Sequence, residues 1–96
     1  MLKHVVLMKF KADVVEKDIS DLERGLGALP EKIPEILGYE FGRDVVRSER
    51  SYDFALLSSF ADLEALKRYQ VQPDHQIVLK QVLRMCDSIL AVDFLQ

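Results

Sequence analysis

The order of apolar patterns predicts an α+β sandwich in which one four-stranded antiparallel sheet carries helices on a single face. Extended segments near residues 2–10, 37–46, 52–60 and 87–94 alternate with helical stripes in the order strand, helix, strand, strand, two helical pieces, strand. Right-handed crossovers bring both helical layers to the same side of the sheet, which is the ferredoxin-like βαββαβ arrangement. The strand centres are apolar on both faces, so the side away from the helices also calls for cover. A second copy of the chain supplies it, and the expected assembly is a homodimer with the two sheets packed face to face.

Each element has its own local reason. From Leu2 to Phe10, residues His4, Val6, Met8 and Phe10 share one face, and Lys3, Val5, Leu7 and Lys9 the other. The run Asp13-Val14-Val15-Glu16 has the spacing of an N-cap and a returning acid. Ile19, Leu22, Leu26 and Leu29 then form a stripe at spacings of three and four. Pro30 and Pro34 are expected to close that helix. Tyr39, Phe41 and Val45 mark a strand over Leu37–Val46, with Gly38 and Gly42 pointing to a bulge or a close approach.

The third strand, Tyr52 to Phe60, sets Phe54, Leu56 and Phe60 against Ala55 and Leu57. Asp62 caps a short helix with Leu63, Leu66 and Tyr69 on one stripe. Pro73 suits the first position of the next helix, where its missing N–H is not needed, and His75, Val78, Leu79 and Val82 share a face. The last strand places Leu90, Val92 and Phe94 opposite Ile89 and Ala91. Val5, Leu7, Ala55, Leu57 and either Ile89 or Leu90 are left for the uncovered face, and burying them favours self-association.

Composition narrows the functional classes. The 96 residues make one domain, 1–96, and 49% of them are hydrophobic. The net charge of −3 is spread over interspersed acids and bases, which argues against a nucleic-acid partner. No run approaches the ~20 apolar residues of a membrane span, so a soluble, cytoplasmic protein is expected. Cys86 is the only cysteine and falls in an apolar pattern, as a small buried side chain would. Two histidines, this cysteine and the scattered acids form no metal set, and neither a dinucleotide fingerprint nor a phosphate-binding loop is present.

One stretch stands out chemically. Tyr69-Gln70-Val71-Gln72-Pro73-Asp74-His75 sets a phenol and an imidazole on either side of a helix break. His75 lies on the apolar face of its helix, where an imidazole serves as an acid or base near neutral pH. Tyr69 is placed to offer its hydroxyl to a carbonyl oxygen, and His4 joins them if its strand face meets the helices. The alternative is structural, with a tyrosine and a histidine simply completing the core.

The residues Lys3 to Lys11, Ile33-Pro34, Gly42, Tyr52 to Leu56, Phe60, Tyr69 to His75 and Val92-Asp93-Phe94 together resemble the stress-responsive A/B barrel, or Dabb, family over nearly the whole chain. The resemblance implies a dimeric α+β barrel without a cofactor. It further implies a pocket between helices and sheet, with His75 and Tyr69 catalytic and His4, Val6, Met8, Phe54 and Leu56 around the substrate. A plant polyketide cyclase of this family has a similar tyrosine and histidine, but Leu26 and Phe54 stand where that cyclase has a tyrosine and a histidine. Three functional readings follow. The first is a dimer whose small apolar pocket binds and transforms a carbonyl compound by His/Tyr acid–base chemistry. The others are a non-catalytic stress-related or structural dimer and a cofactor-free monooxygenase-like dimer.

Overall fold

The computed structural model describes residues 1–96. Strand β1 (Leu2–Phe10) leads to helix α1 (Glu16–Lys32), strands β2 (Gly38–Arg43) and β3 (Phe54–Phe60), helices α2 (Leu63–Val71) and α3 (Pro73–Met85), and strand β4 (Cys86–Leu95). The sheet order is β2-β3-β1-β4 and every neighbouring pair is antiparallel. This is the expected ferredoxin-like sandwich, with β1 and β3 interior because both of their faces are apolar.

The alternation of β1 decides where the core sits. Leu2, His4, Val6 and Met8 are buried beneath the helices, joined by Phe54, Leu56, Ser58 and Phe60 of β3. From the helical layer, Leu22, Leu26, Leu29 and Ile33 of the α1 stripe meet Leu66, Tyr69, Val78 and Val82. Only 20 of the 96 residues are buried, a small core for a chain whose second sheet face is also apolar. On that outer face Leu7 and Leu57 are 37% exposed, Leu90 50% and Phe94 42%. The β1–β4 register pairs Met8 with Ile89 and Leu7 with Leu90, so Leu90 lies outward and Ile89 inward.

Several boundaries differ from the sequence expectation. Helix α1 starts at Glu16 with Val15 as N-cap, and Asp18 rather than Asp13 accepts the Val15 N–H at 3.0 Å. The helix runs through Pro30 to Lys32, because the buried stripe from Leu22 to Ile33 outweighs one lost backbone bond. Pro34 ends it instead, holding Ile33 in the extended region that precedes a proline.

Strand β2 stops at Arg43, short of Val45 and Val46. There the Asp44 carboxylate accepts the Arg47 N–H at 2.7 Å and Arg47 turns left-handed at φ 56°, leaving Val45 and Val46 exposed. Strand β3 correspondingly begins at Phe54, not Tyr52. The one register shift lies between Lys9 and Phe10 against β4, not at the β2 glycines. Gly38 is a close approach, since a Cβ there would meet Ser59 Oγ at 3.3 Å, whereas Gly42 has open space. Leu63 is exposed, and Ala65 takes its place in the buried face of α2.

The α2–α3 break is what presents the site. Asp62 caps α2 by accepting the Ala65 N–H at 2.9 Å. At the break, the Gln72 side-chain oxygen accepts the N–H of Asp74 at 2.6 Å and of His75 at 3.3 Å, satisfying the first free donors of α3. Pro73 follows at the position that needs no donor. Glutamine is an uncommon cap, and its role here depends on the sharp turn around Pro73.

Candidate functional site

Between the helices and the inner sheet face lies a cavity of about 360 Å³. Its floor is formed by His4, Val6 and Met8 of β1 with Leu56 of β3. Leu26 of α1 and Val78, Leu79 and Val82 of α3 close one side, and Ile89 and Ala91 of β4 another. Polar groups enter from Tyr69, Gln70, His75 and Gln76 at the helix break, and from His4. No Lys, Arg, Asp or Glu contributes to the lining. The volume sits near the lower end of small-molecule sites, and the balance of apolar wall with a few convergent polar groups is typical of them.

Tyr69, His75 and His4 converge as anticipated. The Tyr69 and His75 ring centroids are 4.2 Å apart, and those of His4 and Tyr69 6.5 Å. Val6, Met8 and Leu56 line the cavity, but Phe54 does not. It belongs to the far end of the inner face, paired with Met8 in register and stacked on Phe41 at 6.0 Å with Phe10 beside it. The alternation gave Phe54 the correct face, while its position along the strand puts it beyond the cavity.

Hydrogen bonds define the imidazoles. His75 Nδ1 lies 3.2 Å from the backbone oxygen of Gln70. A carbonyl only accepts, so Nδ1 carries the proton and the neutral ring keeps its lone pair on Nε2. Gln76 Nε2 donates to the same oxygen and helps fix it. His4 Nδ1 bonds the Asp93 carboxylate. Neither Nε2 has a protein partner, yet no buried side-chain nitrogen or oxygen lacks one, so both Nε2 atoms are within reach of solvent.

Burial lowers the pKa of His75 below its ordinary 6.5; the Gln70 carbonyl opposes this and the nearby His4 adds to it. The neutral base is therefore the resting form at pH 7. Folded protein binds fewer protons here than the unfolded chain, between the folded pKa and 6.5. Stability consequently rises with pH across that window and is lost as pH falls through the folded value. His75→Gln will lose less stability than wild type on acidification from pH 7.5 to pH 5, measured by chemical denaturation.

The Tyr69 hydroxyl meets that of Tyr39 at 2.8 Å. Burial raises the pKa of Tyr69, and the bond from Tyr39 offsets part of the rise. Tyr39 itself is pushed far above the phenol range by burial, then by the charge and hydrogen bond of Tyr69. Tyr69 thus stays protonated at neutral pH. Cys86 is raised to about 11, chiefly by burial, and is an inert thiol outside the cavity.

Sequence reasoning missed Tyr39 and Asp93 as members of this network. Tyr39 had an inward signal in its alternation with Phe41, but its partner is 30 residues away. Asp93 faces inward with Ile89 and Ala91, and only the β1–β4 register aligns it with His4.

A one-sided ferredoxin-like sandwich with an internal cavity is the class of protein that this geometry defines. The stress responsive A/B barrel domain, Dabb, matches residues 2–96, and the chain belongs to that family. A stress-response A/B barrel domain-containing protein of Arabidopsis thaliana is 32% identical over 98 residues, covering 99% of this chain but 36% of the relative. A second protein of the same plant, bearing the same domain name, is 28% identical over 97% of this chain and 87% of its own length. A dimeric ferredoxin-like protein of unknown function from Thermobifida fusca superposes with a TM-score of 0.91 at 28% identity, covering 99% of this chain and 90% of that one. Hydroxynitrile lyase from Passiflora edulis shares the fold alone, with a TM-score of 0.87 at 18% identity over 97% of this chain and 90% of the lyase. No helix is long and apolar enough to cross a membrane.

Proposed function

We infer that the chain works as a homodimer joined through its outer sheet face, and that its cavity binds a small carbonyl compound and transforms it by acid–base chemistry. One observation carries the chemistry. The Gln70 carbonyl holds the His75 Nδ1–H, leaving the Nε2 lone pair available beside a protonated Tyr69 in an apolar cavity.

In the first step His75 Nε2 takes a proton from the carbon next to the carbonyl. The C–H electron pair moves into the enolate, whose oxygen accepts a hydrogen bond from Tyr69. The imidazolium returns its proton to carbon, or the enolate attacks a second carbonyl of the same ligand and receives the proton on the new alkoxide. Every proton and electron pair is accounted for by these two residues and the ligand. The dimer reading is supported by the exposed Leu7, Leu57, Leu90 and Phe94, and by the dimeric state of the Thermobifida fusca relative.

The test is deuterium incorporation next to the carbonyl of cyclohexanone and pentan-2-one in D2O, followed by proton NMR. Wild-type protein is expected to accelerate exchange above buffer, and Tyr69→Phe to slow it by about ten- to a hundredfold. Equal rates for wild type, Tyr69→Phe and buffer across such ketones would refute the catalytic reading. They would favour a non-catalytic dimer, a reading supported by the 1% exposure of Tyr69 and its packing on Phe60 at 4.9 Å. Oxygen uptake with quinol-like compounds would instead point to monooxygenase chemistry.

A further inference from the structure

The phenol pair contains two hydroxyl protons but only one mutual hydrogen bond. Tyr39 and Tyr69 lie 2.8 Å apart, oxygen to oxygen, and neither hydroxyl has another partner in the chain. Their positions are not equivalent. Tyr69 lines the cavity, whereas Tyr39 does not; it comes up from β2 behind Tyr69, its ring centroid 6.3 Å away and edge-on at 67°. When a ligand oxygen occupies the cavity, one arrangement uses both protons. Tyr39 donates to the Tyr69 oxygen, and Tyr69 donates to the ligand.

We propose that Tyr39 is a positioning residue whose hydroxyl, by donating to Tyr69, turns the Tyr69 proton into the cavity and strengthens it as a donor to the ligand oxygen. The inference rests on the carbonyl-binding reading of the cavity and gives that site a residue beyond its lining. As negative charge grows on the ligand oxygen, the Tyr69 proton shifts toward it and charge builds on the Tyr69 oxygen. Tyr39 is already placed to stabilise that charge, and chained hydrogen bonds reinforce one another in a low-dielectric interior. The ordering of the two phenols agrees, because burial and the neighbouring Tyr69 keep Tyr39 protonated when Tyr69 carries charge. The cavity lining has no lysine or arginine to add to the His75 imidazolium formed in the first step. The pair is therefore suited to an uncharged carbonyl acceptor.

The arrangement is specific to the hydroxyl. Phenylalanine at 39 keeps the ring that packs on Phe41 at 6.4 Å and removes only the oxygen. Two readouts separate a relay from a packing role. The first is exchange into cyclohexanone. Tyr39→Phe is expected to lower kcat about three- to tenfold with KM nearly unchanged. Adding Tyr39→Phe to Tyr69→Phe is expected to cost nothing more, since the relay acts only through Tyr69. Equal losses in the presence and absence of the Tyr69 hydroxyl would overturn the proposal.

The second readout needs no turnover. With 3-fluorotyrosine at all three tyrosines, the phenols titrate in a milder pH range and each gives its own fluorine resonance. Tyr39→Phe is expected to raise the Tyr69 midpoint by about one pH unit, because a donor to the charged form is removed. An unmoved midpoint in a variant whose amide spectrum stays native would overturn the relay. If wild type exchanges no ketone, the catalytic reading fails, while the fluorine titration still decides whether Tyr39 supports charge on Tyr69.

Discussion

His75→Ala will slow deuterium exchange into cyclohexanone by about 10²- to 10⁴-fold, the usual loss when a positioned general base is removed. The expectation follows from the tautomer. The Gln70 carbonyl accepts the Nδ1 proton, so the lone pair of the neutral ring is on Nε2. Burial lowers the His75 pKa below 6.5, so the neutral ring predominates at pH 7. The Tyr69 hydroxyl remains in the variant, which should therefore retain ligand binding and lose mainly kcat. Alanine leaves space beside Tyr69, and added imidazole is expected to restore part of the rate. Exchange in His75→Ala within threefold of wild type would mean that another group removes the proton.

Leu57→Asp will weaken the dimer by about a hundredfold or more, read as a dissociation constant by analytical ultracentrifugation. Leu57 is central in β3 and pairs with Val5 across β1, in the middle of the outer face. Its 37% exposure in the single chain leaves apolar surface for a partner to cover. A carboxylate there would be desolvated beside the apolar Val5 of the neighbouring strand, a cost of several kcal/mol. Val5→Asp on the neighbouring strand should act the same way. Val45→Asp, on the exposed turn after β2, should leave association unchanged. A Leu57→Asp chain that dimerises as tightly as wild type would move the interface elsewhere.

The fold was legible because its signals are local and periodic. His4, Val6 and Met8 alternate with Val5 and Leu7, and the α1 stripe recurs every three or four residues, so face and element type follow from spacing alone. The misread boundaries are places where tertiary burial overrides a local rule. Pro30 stays helical because Leu29 and Ile33 on either side of it are buried, and β2 ends where Asp44 captures the Arg47 N–H rather than where the β-branched residues stop.

The candidate site was legible in part for the same reason. Tyr69 and His75 are close in sequence, and the proline break that joins them is visible there. Phe54 shares the correct face, but distance along a strand within a sheet depends on register, which alternation does not report. Tyr39 and Asp93 reach the network only through the pairing of strands, at sequence separations of 30 and 89 residues from their partners.

His75 is expected to present a neutral, unprotonated Nε2 to a ligand in the cavity. Nitrogen-15 NMR of both imidazoles, across pH and then with cyclohexanone added at pH 7, tests it most directly. The expected result is a His75 ring protonated on Nδ1, titrating below 6.5, with an Nε2 resonance that moves when the ketone binds. A proton on Nε2, a midpoint above 6.5, or a His75 ring indifferent to ketones that bind elsewhere on the protein would contradict it.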